Sequence, residues 1–220
     1  MERNTVRTRL FHTAVYLATF VLLLTGWWLW SGREGRPSPL ARLASSSDMT
    51  IHEGAGWALA LLTAGVTIVG WRGIRRFTVE SLSFARSDVR WFARWPRAVF
   101  TGDFASHDGH FDPGQRIANI LIVGCLGALV VTGFGLIATS GGPAFAWFLR
   151  IHKWSTYLLT PILAGHVIIG LGVPPGYRGV TGAIHRPGRI SEDTARRLWP
   201  VWAERAHRSR TGIGNPDPPQ

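Results

Sequence analysis

Cysteine occurs once in this 220-residue chain, at Cys125. That single thiol excludes an internal disulfide, a thiolate zinc site, a C-x-x-C-H haem attachment and an iron–sulfur cluster held by this chain alone. Lysine is nearly absent, leaving arginine to supply almost all of the positive charge. Acidic residues are few, 13 against 24 basic ones, and the four longest apolar runs carry no Asp or Glu in their interiors. A carboxylate-based proton relay inside those runs is thereby excluded. No internal repeat is present.

Tryptophan, by contrast, is plentiful at eleven copies. The apolar residues concentrate in four segments, Leu10–Trp30, Gly54–Trp71, Ile117–Ala138 and Ile151–Val173. Each is long enough to cross a hydrocarbon core of about 30 Å as a helix, and none shows the polar face of a soluble amphipathic helix. The expected fold class is an all-α integral membrane protein, a bundle of four transmembrane helices. The run after Arg3, Arg7 and Arg9 is long, Trp-rich at its end and without a small-residue cleavage site, so a retained first span is expected rather than a signal peptide. Trp27, Trp28, Trp30, Trp71, Trp147 and Trp154 fall at span ends, as interfacial anchors do.

The formal charge of +11 raises the question of nucleic acid. Four spans alternate the flanking segments, and 19 of the 24 basic residues fall on the side holding both termini and the 72–116 connection. The positive-inside rule places that side, and both termini, in the cytoplasm. Anionic lipid accounts for the charge, and no nucleic-acid partner is expected. Residues 87–100 (SDVRWFARWPRAVF) read as an amphipathic segment on the leaflet, with Ser87 as its cap and Pro96 breaking it. Residues 31–51 and 101–116 read as irregular loops. Residues 176–220 read as a basic cytoplasmic tail with a short helix near Ser191–His207 and a disordered last ten residues.

Eight histidines are present. His107, His110, His185 and His207 lie in polar segments and read as solvated. The other four lie in or at the ends of spans, where an ionisable side chain is a functional hypothesis. Alternating span direction puts His12 and His166 near the inner face and His52 and His152 near the outer face. His152 and His166 are fourteen residues apart. At ~100° and 1.5 Å per residue they point to nearly the same side of one helix, about 21 Å apart. A lone metal ion would call for three or four donors at one point. Two depth-matched imidazole pairs fit two b-type haems, each held axially by His52 with His152 and by His12 with His166. Gly26 and Gly65, fourteen and thirteen residues after His12 and His52, are expected to leave room for the porphyrins. Arg9 and Lys153 are weak candidates for propionate partners, and Pro161 is expected to bend the fourth helix.

These four histidines, at these spacings, resemble the gamma (cytochrome b) subunit of membrane-bound formate dehydrogenase, over roughly residues 5–175. The stretch Phe111-Asp112-Pro113-Gly114-Gln115-Arg116 resembles that family's aromatic–Asn–x–Gly–Gln–basic entry to the third helix, with Asp112 where Asn is common. The resemblance implies the same ligand pairs and a quinone site, for menaquinone or ubiquinone, near Asp112, Gly114, Gln115 and His166. It implies an iron–sulfur subunit and a molybdopterin-type catalytic subunit at the outer face of a bacterial inner membrane. The 72–116 loop would lid the quinone site. The domain boundary would fall near 175. The cytochromes b of thiosulfate reductases and nickel–iron hydrogenases share much of this layout. Stand-alone b-type reductases and a haem-free docking anchor are the other readings.

Overall fold

A computed structural model describes residues 1–32, 35–185 and 188–211. The regular secondary structure of the described residues is helical, apart from one isolated β-bridge between Glu2 and Arg189. In chain order the helices are α1 (Val6–Trp30), α2 (Pro39–Leu43), α3 (Asp48–Val69), α4 (Trp71–Leu82), α5 (Arg86–Thr101), α6 (Pro113–Ala138), α7 (Gly142–Gly170), α8 (Glu192–Leu198) and α9 (Pro200–Thr211). Two 3-10 turns, Pro175–Tyr177 and Val180–Ala183, separate α7 from α8.

Helices α1, α3 and α6 are long and apolar enough to cross a membrane. The shortest has 22 residues, or about 33 Å of helix. The fourth span is α7 taken together with the turns that follow it, after a 60° bend. The protein is thus an all-helical, multi-pass membrane protein. Its span limits differ from the sequence reading. His12 and His52 do not sit at helix ends: α1 starts at Val6 and α3 at Asp48, so Glu53 also lies within a helix. His152 does not open its helix, because α7 begins ten residues earlier, at Gly142. The helix runs without a break through Pro161, and a 60° bend separates α7 from the turns that follow Gly170.

The chain divides into two compact units. One comprises Leu10–Arg75 and Ile122–Pro161 and holds most of the spans. Water cannot satisfy polar groups in hydrocarbon, so its threonines turn inward on their own helices. Thr19, Thr25, Thr63, Thr132 and Thr139 each donate the hydroxyl to the carbonyl four residues back, at 2.7–2.8 Å. The 31–51 connection is more ordered than its composition suggests. Ser38 caps α2, and the buried Asp48 carboxylate accepts the Ser38 N–H at 2.9 Å.

The other unit comprises Met1–Arg9, Arg76–Leu121 and Ile162–Gln220. Here the expected 72–116 lid loop is mostly helix, α4 and α5, with irregular chain at 83–85 and from 102 to 112. Ser87 is not the cap of α5. The N-cap is Ala85, whose N–H is accepted by the Asp88 carboxylate at 2.9 Å. Pro96 does not break α5. The segment after Pro174 is not a loose tail: Tyr177, Ala183, Ile190, Ala195, Leu198, Trp199 and Ala203 form a buried core against Val99 and Phe104. Trp95 donates its indole N–H to the Tyr177 hydroxyl at 3.0 Å. The single helix expected near Ser191–His207 is two, capped by Ser191 and parted at Trp199, before Pro200. The expected disorder of the last ten residues falls, apart from the end of α9, outside the described residues.

Candidate functional site

In the unit that holds most of the spans, His52 of α3 faces His152 of α7 with ring centroids 6.2 Å apart and planes at 64°. Each ring is held from behind in the same way. The Thr25 hydroxyl lies 2.8 Å from His52 Nδ1, and the Thr132 hydroxyl lies 2.8 Å from His152 Nδ1. The residue after each threonine is a glycine. A Cβ on Gly26 would lie 3.2 Å from His52 Cε1, and one on Gly133 would lie 3.8 Å from His152 Cε1. Helices α1, α3, α6 and α7 therefore each supply one element of the site: two imidazoles and two Thr-Gly supports. Trp57 and Phe134 pack edge to face beside it at 4.7 Å.

This arrangement fits a haem iron. Imidazole nitrogens bind metals at about 2 Å, so two rings sharing one ion have centroids about 6 Å apart. Among the described residues no three His, Cys, Asp or Glu side chains gather into a metal site, and two imidazoles are the donors that face each other here. The glycines keep the space beside the rings clear, as a flat macrocycle requires.

The other sequence-derived residues fall as follows. Gly26 stands against His52, the partner expected from its depth. Gly65 faces open space, where a Cβ would meet nothing within 4 Å. His12 belongs to the same unit and packs edge-on against Tyr16 at 5.8 Å. His166 belongs to the other unit, with Asp112, Gly114 and Gln115, and the Asp112 carboxylate lies within its electrostatic reach. The pairing of His12 with His166 is carried by helix register alone. Lys153 places its ammonium 3.9 Å from the centre of the Trp30 ring. Arg9 directs its guanidinium to the His185 carbonyl at 3.4 Å. Both cations are thus engaged with protein groups.

The FDPGQR stretch shapes the start of α6. Asp112 caps the helix, accepting the Gln115 N–H at 2.8 Å, and Pro113 takes the first position, where its missing N–H costs nothing. Burial pushes the Asp112 carboxyl above the usual carboxylate range, opposed by the Gln115 N–H and by His107, Arg3 and Arg116. Gly114 is needed for packing, since a Cβ there would lie 2.9 Å from the Trp91 ring. Arg116 is 2% exposed. Its guanidinium donates to the carbonyls of Phe111, Ser83 and Asp108 and pairs with Asp88 at 3.1 Å. Glu80 accepts the N–H groups of His110 and Phe111.

Two histidines read as solvated are not. His107 is 2% exposed, with Nε2 3.0 Å from the Leu198 carbonyl. His110 is half-buried, and burial together with Arg3 pushes its imidazole down to about 4. Arg3 is itself pushed down to about 9 by burial, between the faces of Trp199 and Trp202.

Apolar helices that bring two imidazoles face to face define a membrane cytochrome of the b type. The sequence pattern of prokaryotic cytochrome b561 matches residues 3–181, and the chain belongs to that family, of four-helix, di-haem membrane electron carriers. Neither curated proteins nor solved structures provide a match. Membership makes the chain a prokaryotic electron-transfer subunit that uses b-type haem. Thr25, Thr132 and Gly133 were missed in the sequence. The signal was there: Thr-Gly followed by an aromatic residue occurs at 25–27 and again at 132–134.

Proposed function

We propose that this chain is the di-haem cytochrome b subunit of a respiratory oxidoreductase of the formate dehydrogenase gamma kind. The observation that carries the reading is the facing pair His52 and His152, at a separation suited to one shared iron. His12 and His166 hold the second haem on this reading, and Gly26 and Gly65 leave room beside the rings. Residues 1–175 form the haem-bearing domain, and both termini are cytoplasmic, as the 19-to-5 distribution of basic residues supports.

Haem b bound at these sites supplies one-electron transfer. The chain's own residues hold the irons through neutral imidazoles and exclude water from them. Quinone is reduced near Asp112, Gly114, Gln115 and His166. Asp112 supplies the proton chemistry there: its buried carboxyl is held above the usual range, and once protonated it donates a hydrogen bond as the amide of Asn would. Electrons arrive from an iron–sulfur subunit joined to a molybdopterin-type catalytic subunit at the outer face. No site for oxidising the primary substrate lies in this chain.

The test is a reduced-minus-oxidised optical spectrum with a haem count on the purified protein. Two haems b are expected in the wild type, and one in each of His52→Ala, His152→Ala and His166→Ala. Only His166→Ala is expected to lose quinone reduction while keeping the haem held by His52 and His152. A protein without a haem b band refutes the reading. Co-purification with an iron–sulfur protein and reduction of the haems by formate would identify the complex. Reduction by dihydrogen or thiosulfate instead would assign it to a sister complex.

A further inference from the structure

The Thr25 and Thr132 hydroxyls each meet two carbonyls and a ring nitrogen that compete for one proton; the more distant carbonyls, those of Leu22 and Leu129, lie 3.3 Å away. Thr25 Oγ1 lies 2.7 Å from the Val21 carbonyl and 2.8 Å from His52 Nδ1. Thr132 Oγ1 lies 2.7 Å from the Ala128 carbonyl and 2.8 Å from His152 Nδ1. A hydroxyl has one proton to donate, and a carbonyl oxygen can only accept. In both cases the proton goes to the carbonyl, so the hydroxyl oxygen must accept from the ring. Each histidine then carries its proton on Nδ1 and presents a bare Nε2. That is the tautomer a metal-binding imidazole needs, and the partner of its second nitrogen fixes it.

We infer that Thr25 and Thr132 are positioning residues for one haem: each locks its histidine in the Nδ1–H tautomer and in its ring orientation, and together they set the reduction potential. The inference rests on His52 and His152 being axial ligands. A donor N–H held by an acceptor makes the imidazole a better electron donor, which favours the oxidised iron. The hydroxyls also hold the two ring planes 64° apart. Gly26 and Gly133 keep the Cε1 edges uncrowded, so the ring rotation is set from the Nδ1 side, by the threonine hydroxyl together with the Leu22 or Leu129 carbonyl.

The experiment uses the full chain carrying Thr25→Val, Thr132→Val, both, or the serine equivalents, beside His52→Ala and His152→Ala. Three quantities are read: the midpoint potential of each haem, the EPR signal of the oxidised haem, and haem retention against apomyoglobin. The valine variants are expected to raise one haem's midpoint, so that its reduced-to-oxidised ratio at the wild-type midpoint rises about threefold, and to weaken its retention about tenfold. The low-spin EPR signal of that haem should shift as the ring angle relaxes, while the other haem is unchanged. Serine restores all three.

If the histidine variants each lose a haem while the valine variants match wild type in all three readouts, the inference is overturned and the ligand assignment stands. If the histidine variants keep both haems, the ligand assignment fails and the inference falls with it. If the valine variants do not accumulate, the oxidised wild type decides. Proton ENDOR before and after exchange into D2O must show an exchangeable Nδ1 proton on both axial rings, and its absence from either ring overturns the inference.

Discussion

The two units handle buried polarity in opposite ways. In the unit of Leu10–Arg75 and Ile122–Pro161, the groups that meet around His52 and His152 are imidazoles and hydroxyls, each hydroxyl turned toward a carbonyl and a ring nitrogen. In the unit of Met1–Arg9, Arg76–Leu121 and Ile162–Gln220, the buried polar groups include an ion pair. Arg116 and Asp88 pair at 3.1 Å with side chains 3% and 5% exposed. The difference follows from what each must do. A span cannot carry an unpaired charge through hydrocarbon, but a neutral donor such as imidazole can be held there and offered to a metal. The ionic unit must join α4, α5 and the start of α6 through irregular chain, whose carbonyls a buried guanidinium can gather.

The comparison can be broken most forcefully at Arg116. Arg116→Met should leave the Asp88 charge unpaired and three carbonyls without this donor, and cost about 3–5 kcal/mol, seen as a collapse in yield and a lowered Tm in detergent. A mild loss would mean that the ionic network is incidental. In the neutral unit, Gly26→Leu should remove the haem held by His52 and His152 without a comparable loss of folded protein, because the new side chain enters the space beside His52. Gly65→Leu, where a Cβ meets nothing within 4 Å, tests whether that space is also occupied by a porphyrin. Full haem content in both variants would remove the case for glycine-lined clefts.

Smaller effects separate charge from capping at Asp112. Asp112→Asn keeps a side-chain acceptor for the Gln115 N–H and removes a carboxylate that burial disfavours, so stability at pH 7 should hold or rise. Asp112→Ala removes the cap and should cost about 1 kcal/mol. Chemical or thermal melts of the two variants side by side check this. The smallest expected effect is the pH response of His110. Its folded value, about 4, lies below the ordinary 6.5, so the unfolded chain takes up the proton first. His110 therefore favours the fold fully above about pH 6.5, and its contribution fades as pH falls toward 4. His110→Gln should flatten the melting-temperature profile in that window and leave it unchanged above pH 7.

The facing of His52 and His152 was legible because helix geometry is regular. With a rise of 1.5 Å and 3.6 residues per turn, position in the chain converts into depth and face. That arithmetic named His52 and His152 as partners, and their rings do face each other. It also put Gly26 at the level of His52. It did not reveal Thr25 and Thr132, because threonine is common in membrane helices and only a neighbouring helix turns its hydroxyl into a support. His107 was read as solvated because its surroundings in sequence are polar. The structure buries it against Leu198, ninety-one residues away. Residues 72–116 and the segment after Pro174 were read as lid and tail for the same reason. Their polar, Arg-rich composition hides an apolar minority, Trp91, Phe104, Tyr177 and Leu198, that meets only when distant segments pack.

By itself, the sequence determined the membrane class and the long apolar helices, and named His52 and His152 as partners. These follow from local apolar length and a fixed helical period. Only tertiary structure decided which groups stand behind His52 and His152, that Arg116 gathers the carbonyls of three separate residues, and that the C-terminal segment is part of a core. These depend on contacts that reach beyond one helix, to Ser83 from Arg116 and to His52 and His152 from other helices, and such hydrogen bonds have no local signature in the sequence.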